Sequence, residues 1–254
     1  MKNTIGLILI GTAALVTALG VAADHHARPN TAALEIYGCS YAEGRDSEDL
    51  LKVAKQWDAW AESNFSVAYR GYMLTPAAAN KADFGFDTIW LGITKDHHSM
   101  GVINDEWMGS GAKLAKKFDA VAPCDWHGYA TSVDVRPMAD AGGAGFLTVW
   151  SCEFNDGKGF VDLAVADKKW NAHLDEVGMP GGIYRWLPGA GWPRASTADF
   201  VNVYLTSSLA DRGKAVDMMN AGTGQVLNAT YGDIAQCDIP QVWAAQPVGG
   251  KSAE

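Results

Sequence analysis

An internal repeat constrains this chain more than any other feature. Residues 37–60, YGCSYAEGRDSEDLLKVAKQWDAW, return at residues 150–173 as WSCEFNDGKGFVDLAVADKKWNAH, at a constant offset of 113 positions. Seven positions are identical: Cys39/Cys152, Gly44/Gly157, Asp49/Asp162, Leu50/Leu163, Lys55/Lys168, Trp57/Trp170 and Ala59/Ala172. Tyr41/Phe154, Glu43/Asp156 and Arg45/Lys158 exchange like for like. Cys124 and Cys237 keep the same offset, so each copy carries one Cys near its start and one near its end. Two similar units of ordinary domain size, over residues 32–136 and 146–248, account for most of the 254 residues. Pro, small residues and glycines at 137–145 form the expected linker, and 249–254 reads as a loose tail.

Within the first unit, residues 32–41 are apolar and end in aromatics, as a strand does. Glu43-Gly44-Arg45 is a turn, with Asp46 or Ser47 placed to cap a helix. Leu50, Val53, Ala54, Trp57 and Trp60/Ala61 then recur at helical spacing, which predicts one buried stripe. Strands are expected at 67–74, 86–94 and 125–135, a loop at 75–83, and a short helix at 112–118. Residues 96–111, with His97, His98 and the polar-aromatic run 104–107, read as a loop. The second unit repeats the order: strands at 146–154, 182–187, 200–207 and 238–245, and helices at 160–176 and 211–219. A Gly/Pro/Trp loop spans 188–197. Further anchors match Tyr69-Arg70 with Tyr184-Arg185 and Phe86…Trp90-Leu91 with Phe200…Tyr204-Leu205.

The N-terminus reads as a targeting segment. Lys2 precedes an apolar stretch at 5–19, and Val21-Ala22-Ala23 offers a small-residue cleavage site. Residues 1–23 are thus a signal peptide, the alternative being a retained anchor, and 24–31 a polar leader. The expected location is periplasmic or secreted. Four cysteines in such an oxidising compartment favour disulfides over metal ligands. Cleavage after Ala22 or Ala23 leaves His25 or His26 third in the mature chain, which resembles the amino-terminal copper- and nickel-binding motif; His25 and His26 are therefore candidate Cu(II)/Ni(II) ligands. No other cofactor is implied. The net charge of −9 without a Lys/Arg cluster argues against nucleic acid and against anionic membrane surfaces once the leader is removed.

A β-α-β-β-α-β unit is the ferredoxin-like pattern. Two of them in one chain resemble the dimeric α+β barrel superfamily. The resemblance implies an α+β fold in which two tandem ferredoxin-like units form an intrachain pseudo-dimeric barrel. It also implies that strand one lies antiparallel beside strand four. Cys39 would then sit against Cys124, and Cys152 against Cys237.

Residues kept in both copies are scaffold candidates; those in one copy only are functional candidates. Asp125-Trp126-His127-Gly128-Tyr129 is answered by Asp238-Ile239-Pro240-Gln241-Val242, which has no titratable group after the Asp. Alternation puts Asp125, His127 and Tyr129 on one face, as an acid, an imidazole and a phenol fit for proton transfer. Dimeric α+β barrel enzymes often use a His in a pocket between sheet and helices, which is what the resemblance implies for His127. Trp126, Glu106, Trp107, Trp186 and Trp192 are candidate pocket-lining residues. Arg70 and Arg185 are candidate carboxylate clamps, with a surface ion pair as the plainer expectation for each. No phosphate loop, nucleophile elbow, haem-attachment or HExxH motif is present. The leading expectation is an exported small-molecule-binding protein. The alternatives are a cofactor-independent monooxygenase or isomerase using His127 with Asp125 and Tyr129, and a structural protein without a pocket. The sequence leaves the oligomeric state open.

Overall fold

The computed structural model describes residues 30–139 and 141–252. The expected signal peptide over residues 1–23 and the candidate metal ligands His25 and His26 lie outside the described residues. Helix α1 (Ser47–Asn64) forms where the stripe predicts it: Asp46 accepts from the backbone N–H of Glu48 and Asp49, and Leu50, Val53, Ala54, Trp57 and Ala61 are buried. Strand β1 (Thr31–Cys39) precedes it, and β2 (Tyr69–Ala78) follows. A short helix α2 (Lys81–Phe84) then leads to β3 (Thr88–Thr94). The expected loop at 96–111 is instead helix α3 (His97–Ser110). Asp96 caps it by accepting from Ser99 N at 2.7 Å, and that local bond outweighs the two glycines and poor amphipathicity that hid the helix. Helix α4 (Ala112–Asp119) and strand β4 (Cys124–Arg136) follow.

The second half contains β5 (Gly145–Phe154), α5 (Phe160–Val177), β6 (Gly182–Pro188) and β7 (Phe200–Thr206). Helices α6 (Leu209–Met218) and α7 (Gly224–Tyr231) are joined by a π-helical turn at Met219–Thr223. Strands β8 (Ala235–Cys237) and β9 (Gln241–Lys251) end the described chain. The last strand therefore starts later than 238, and residues 249–251, expected as tail, extend β9 against β2.

The sheet runs β7-β6-β4-β1-β3-β2-β9-β5, and β5 pairs with β7 to close it; β8 adds to the end of β5. Eight antiparallel strands thus make a closed barrel, which leaves no long open edge. Leu34, Ile36, Tyr72, Leu74, Val203 and Trp243 fill its interior. The outward face of β1–β4 is covered by α1, α3 and α4; that of β5–β9 is covered by α5, α6 and α7.

Both disulfides form as the resemblance implied, Cys39–Cys124 and Cys152–Cys237, each closing 85 positions of chain. The sheet registers correct two sequence anchors. Cys39 faces Thr88 across β1 and β3, while Cys152 faces Phe200 across β5 and β7. Tyr72 faces Leu91, and Tyr184 faces Val203. The middle strands therefore correspond at an offset of 112, so Tyr184 answers Tyr72 and Arg185 answers Met73. The Tyr-Arg match was a coincidence three residues out of step, and an odd slip reverses every side chain.

Candidate functional site

The site grows from one acid in an apolar strand. Glu35 lies midway along β1 and points away from the barrel, beneath α1 and α3; it is only 6% exposed. A buried carboxyl needs donors, and the sequence supplies three. Tyr69 of β2 donates its hydroxyl to Glu35 Oε1 at 2.6 Å. Asn104 of α3 donates to Oε2 at 3.2 Å, and the Tyr37 hydroxyl donates to Oε2 at 3.5 Å. The network continues outward: Trp90 Nε1 donates to the Tyr69 oxygen at 3.0 Å, and Tyr129 donates to Asn104 Oδ1 at 3.2 Å.

His127 closes the cluster. The register of β1 and β4 sets Tyr37 opposite His127 and Glu35 opposite Tyr129. His127 stacks flat on Tyr37, with ring centroids 3.9 Å apart and planes 6° from parallel. It meets Tyr129 edge-on at 4.9 Å. Its Nε2 lies 3.7 Å from Glu35 Oε2, and is buried without a hydrogen-bond partner among the described residues. Glu35, Tyr37, Tyr69, Asn104 and His127 border a cavity of about 250 Å³ between the sheet and α1, α3 and α4, walled by Trp57, Trp90, Trp107 and Phe118. Burial, and secondarily the Glu35 carboxylate, pushes the Tyr37, Tyr69 and Tyr129 phenols above the usual tyrosine range.

The structure brings together His127, Tyr129 and Trp107 of the residues singled out by sequence. Asp125 is not with them. The pairing of β1 with β4 slips between Gly38 and Cys39, so that Cys124 and Trp126 face successive β1 residues and Asp125 is passed over. This bulge takes Asp125 out of the alternation, and it is exposed. Glu35 occupies the role expected of it as the acid facing His127. Trp126 turns to the barrel side, where its indole donates to Gly191 O and meets Trp192 at 5.4 Å. Trp186 is buried in the barrel interior. Glu106 accepts from Ser66 N instead of lining the cavity. Arg70 is exposed beside Gly142. Arg185, expected at the surface, is 7% exposed beneath α5 and pairs with Asp167, Nη2 to Oδ1 at 2.6 Å; the odd slip in the anchors explains the error.

Glu35, Tyr37, Tyr69, Trp90 and Asn104 were not singled out by sequence. Glu35 carried a signal all the same, as the only charged residue in TAALEIYGC. The strand residues of the site do not persist in the second half. By register and offset, Glu35, Tyr37 and Tyr69 become Thr148, Trp150 and Gly181, and Trp90, His127 and Tyr129 become Asn202, Pro240 and Val242. Gly181 has φ 92°, where an L side chain is strained.

No family model matches this chain, and no curated protein does. Solved structures do match. One is a candidate monooxygenase from Lactobacillus acidophilus NCFM, 10% identical, covering 88% of this chain and 98% of that one with a TM-score of 0.55. Another is a chlorite dismutase variant from Candidatus Nitrospira defluvii, 8% identical, covering 87% and 93% with a TM-score of 0.53. A third is an anthrone oxidase-like protein, 10% identical, covering 88% and 95% with a TM-score of 0.51. At these identities the likeness is one of fold. That fold, a closed antiparallel barrel flanked by helices, agrees with the one that the resemblance to the dimeric α+β barrel superfamily implied.

Proposed function

We propose that this protein binds a small planar molecule in the cavity beneath α1, α3 and α4, and that His127 accepts a proton from it. The observation that carries this reading is the convergence of Glu35, Tyr37 and His127 on an aromatic-walled cavity, in one half of a repeated scaffold only. A carboxylate opposite Nε2 favours the tautomer that carries hydrogen there, leaving Nδ1 to accept. The 3.7 Å gap between Nε2 and Glu35 is one that ligand binding can close. Glu35 is the positioning residue; Asn104 and Tyr129 hold it and the ring in register. The ligand would carry a weakly acidic hydroxyl or an enolisable carbonyl, because a carboxylate would meet Glu35. This is the proton-transfer chemistry of a cofactor-independent monooxygenase or isomerase.

An iron porphyrin is the other group to test against the residues present. Haem iron takes His, Cys thiolate, Met or Tyr. All four cysteines are in disulfides. His127, whose Nε2 faces Glu35 and which stacks on Tyr37, is the imidazole that would hold iron in the first cavity, since a carboxylate behind one ring nitrogen is usual for a metal-ligating His. No His lines the cavity beneath α5, where the Tyr204 and Tyr231 hydroxyls already donate to Pro180 O and Asp167. His127 in the first cavity, and Met179 and Met219 in the second, are the side chains that would hold a haem, which would supply redox chemistry there; no step is derived through one.

A binding role without turnover is the second reading. It is favoured by the saturation of Glu35 with three donors, which suits a fixed structural acid. Anthrone separates the two as a probe. Its enolate, formed by loss of the C10 proton, takes up dioxygen, and the net change gives anthraquinone and water. The expected result is saturable binding, with anthraquinone formed faster than in buffer and His127→Gln losing roughly 10²-fold or more of that rate. Binding with an unaltered rate leaves the binding reading alone, and no binding removes both.

Two broader inferences accompany this reading. The register agreement between halves supports a pseudo-dimer of two ferredoxin-like units, over 32–136 and 146–248. The two disulfides support export to a periplasm or beyond, after cleavage of residues 1–23. No helix among the described residues is long and apolar enough to cross a membrane.

A further inference from the structure

The second half has a cavity of its own, of about 380 Å³, between β5–β7 and helices α5, α6 and α7. Trp150, Trp170, Phe200, Met179 and Leu227 are among its walls. Its volume lies within the usual range for small-molecule sites, roughly 300–1,000 Å³. Among the described residues, the lining includes Arg185 and Arg212 but no Asp or Glu. The carboxylate of Asp167 lies behind Arg185, held by the guanidinium and by the Tyr231 hydroxyl at 2.8 Å.

Arg185 is more than nine-tenths buried, and its Nε is a buried donor with no partner among the described residues. Such an orphan is costly in a folded core unless something else satisfies it. The guanidinium sits 5.5 Å above the Phe200 ring, so one of its faces is fixed. Arg212 of α6 reaches the same cavity and donates its Nε to Thr148 Oγ1 at 3.1 Å. Thr148 stands where Glu35 stands in the first half. The first cavity thus presents a carboxylate where the second presents a hydroxyl already tied to a cation.

We propose that this cavity is a second binding site, for a monoanionic ligand with an apolar or aromatic body and a carboxylate head. The head lies between Arg185 and Arg212, where Arg185 Nε supplies a donor that no group among the described residues accepts. The body lies among Trp150, Trp170 and Leu227. The site stands on its own observations and does not rest on the reading of His127.

The test is a fluorescence titration of the full mature protein, since Trp150 and Trp170 report on the cavity. The probes are 2-naphthoate and 2-naphthamide, which share a ring system and differ in charge. Saturable quenching by naphthoate is expected, with naphthamide weaker by about ten-fold or more, the loss expected for a hydrogen bond to a charged group. Arg212→Gln, on a solvent-reachable helix and safe for folding, should weaken naphthoate several-fold. Arg185→Met with Asp167→Leu removes both buried charges together and should weaken it by about ten-fold or more. His127→Gln should leave naphthoate binding unchanged. Equal affinity for the amide, or full affinity in both arginine variants, would overturn the proposal. So would the absence of saturable binding at millimolar probe.

Discussion

The two halves of this barrel are built alike and lined oppositely. Each carries a capped helix with one buried Trp, Trp57 or Trp170, and each ties its first strand to a later one by a disulfide across the same length of chain. Beneath the helices the likeness stops. In the first half an acid is encircled by phenols, an amide and an imidazole. In the second, two arginines stand over apolar walls. Duplication keeps the residues that hold strands and helices together and frees those that face the space between them. What the halves share reports on the scaffold, and what they do not share reports on ligands.

The disulfides offer the largest test of the shared part. Equal loops imply equal constraint on the unfolded chain, roughly 4–5 kcal/mol each in the chain-entropy account. Replacing Cys39 and Cys124 by Ser, or Cys152 and Cys237 by Ser, should lower the unfolding free energy by similar amounts in denaturant melts. A large inequality would mean that the halves differ in more than their linings. The helix tryptophans come next. Trp57 meets Phe65, Tyr69 and Trp90, whereas Trp170 meets His173 and Tyr231. Trp57→Ala should cost about 4 kcal/mol, and Trp170→Ala nearer 3. The reverse order would contradict the ranking of the two cores.

Smaller effects sharpen the unshared part. Glu35→Ala leaves the buried Tyr69 hydroxyl without its acceptor, while Asn104 keeps its bond to Met100 O, and should cost about 1–3 kcal/mol. Thr148→Val, at the matching position, should cost less, about 1 kcal/mol. Alkali gives a further comparison. Burial raises Tyr204, next to the Asp211 carboxylate, to about 12, and raises Tyr37, Tyr69 and Tyr231 too. A tyrosine whose folded value exceeds its unfolded value of about 10 keeps its proton longer in the native state. Its stabilising effect is full below pH 10 and is lost as pH rises through the folded value. Denaturation midpoints should therefore be flat from pH 7 to 9 and fall above 10, while absorbance at 295 nm shows these phenols ionising only on unfolding.

Much of the scaffold was legible in sequence because its determinants are local or repeated. The Leu50–Trp57 stripe and the Asp46 cap mark a helix, and the strand order implied by the resemblance to the dimeric α+β barrels marks the cysteine pairing. The candidate site was less legible, for physical reasons. Helix α3 owes its start to one Asp96 side chain, and its weak stripe conceals that it brings Asn104 to Glu35. The bulge at Asp125 cannot be read from alternation, since a bulge is an interruption of it. Tyr69 and Glu35 lie 34 positions apart and meet only through the β2–β3–β1 register. Arg185 was aligned with Arg70 by a two-residue coincidence that only strand pairing corrects.

The central claim is that one scaffold sorts two ligands by charge, and a single crystal structure tests it. The protein would be crystallised with 2-naphthol and 2-naphthoate together, probes that share their rings and differ in the head group. The account predicts naphthol beneath α1 and α3 with its hydroxyl at His127, and naphthoate beneath α5 with its carboxylate at Arg185 and Arg212. Both probes in one cavity, or naphthoate beside Glu35, would contradict it.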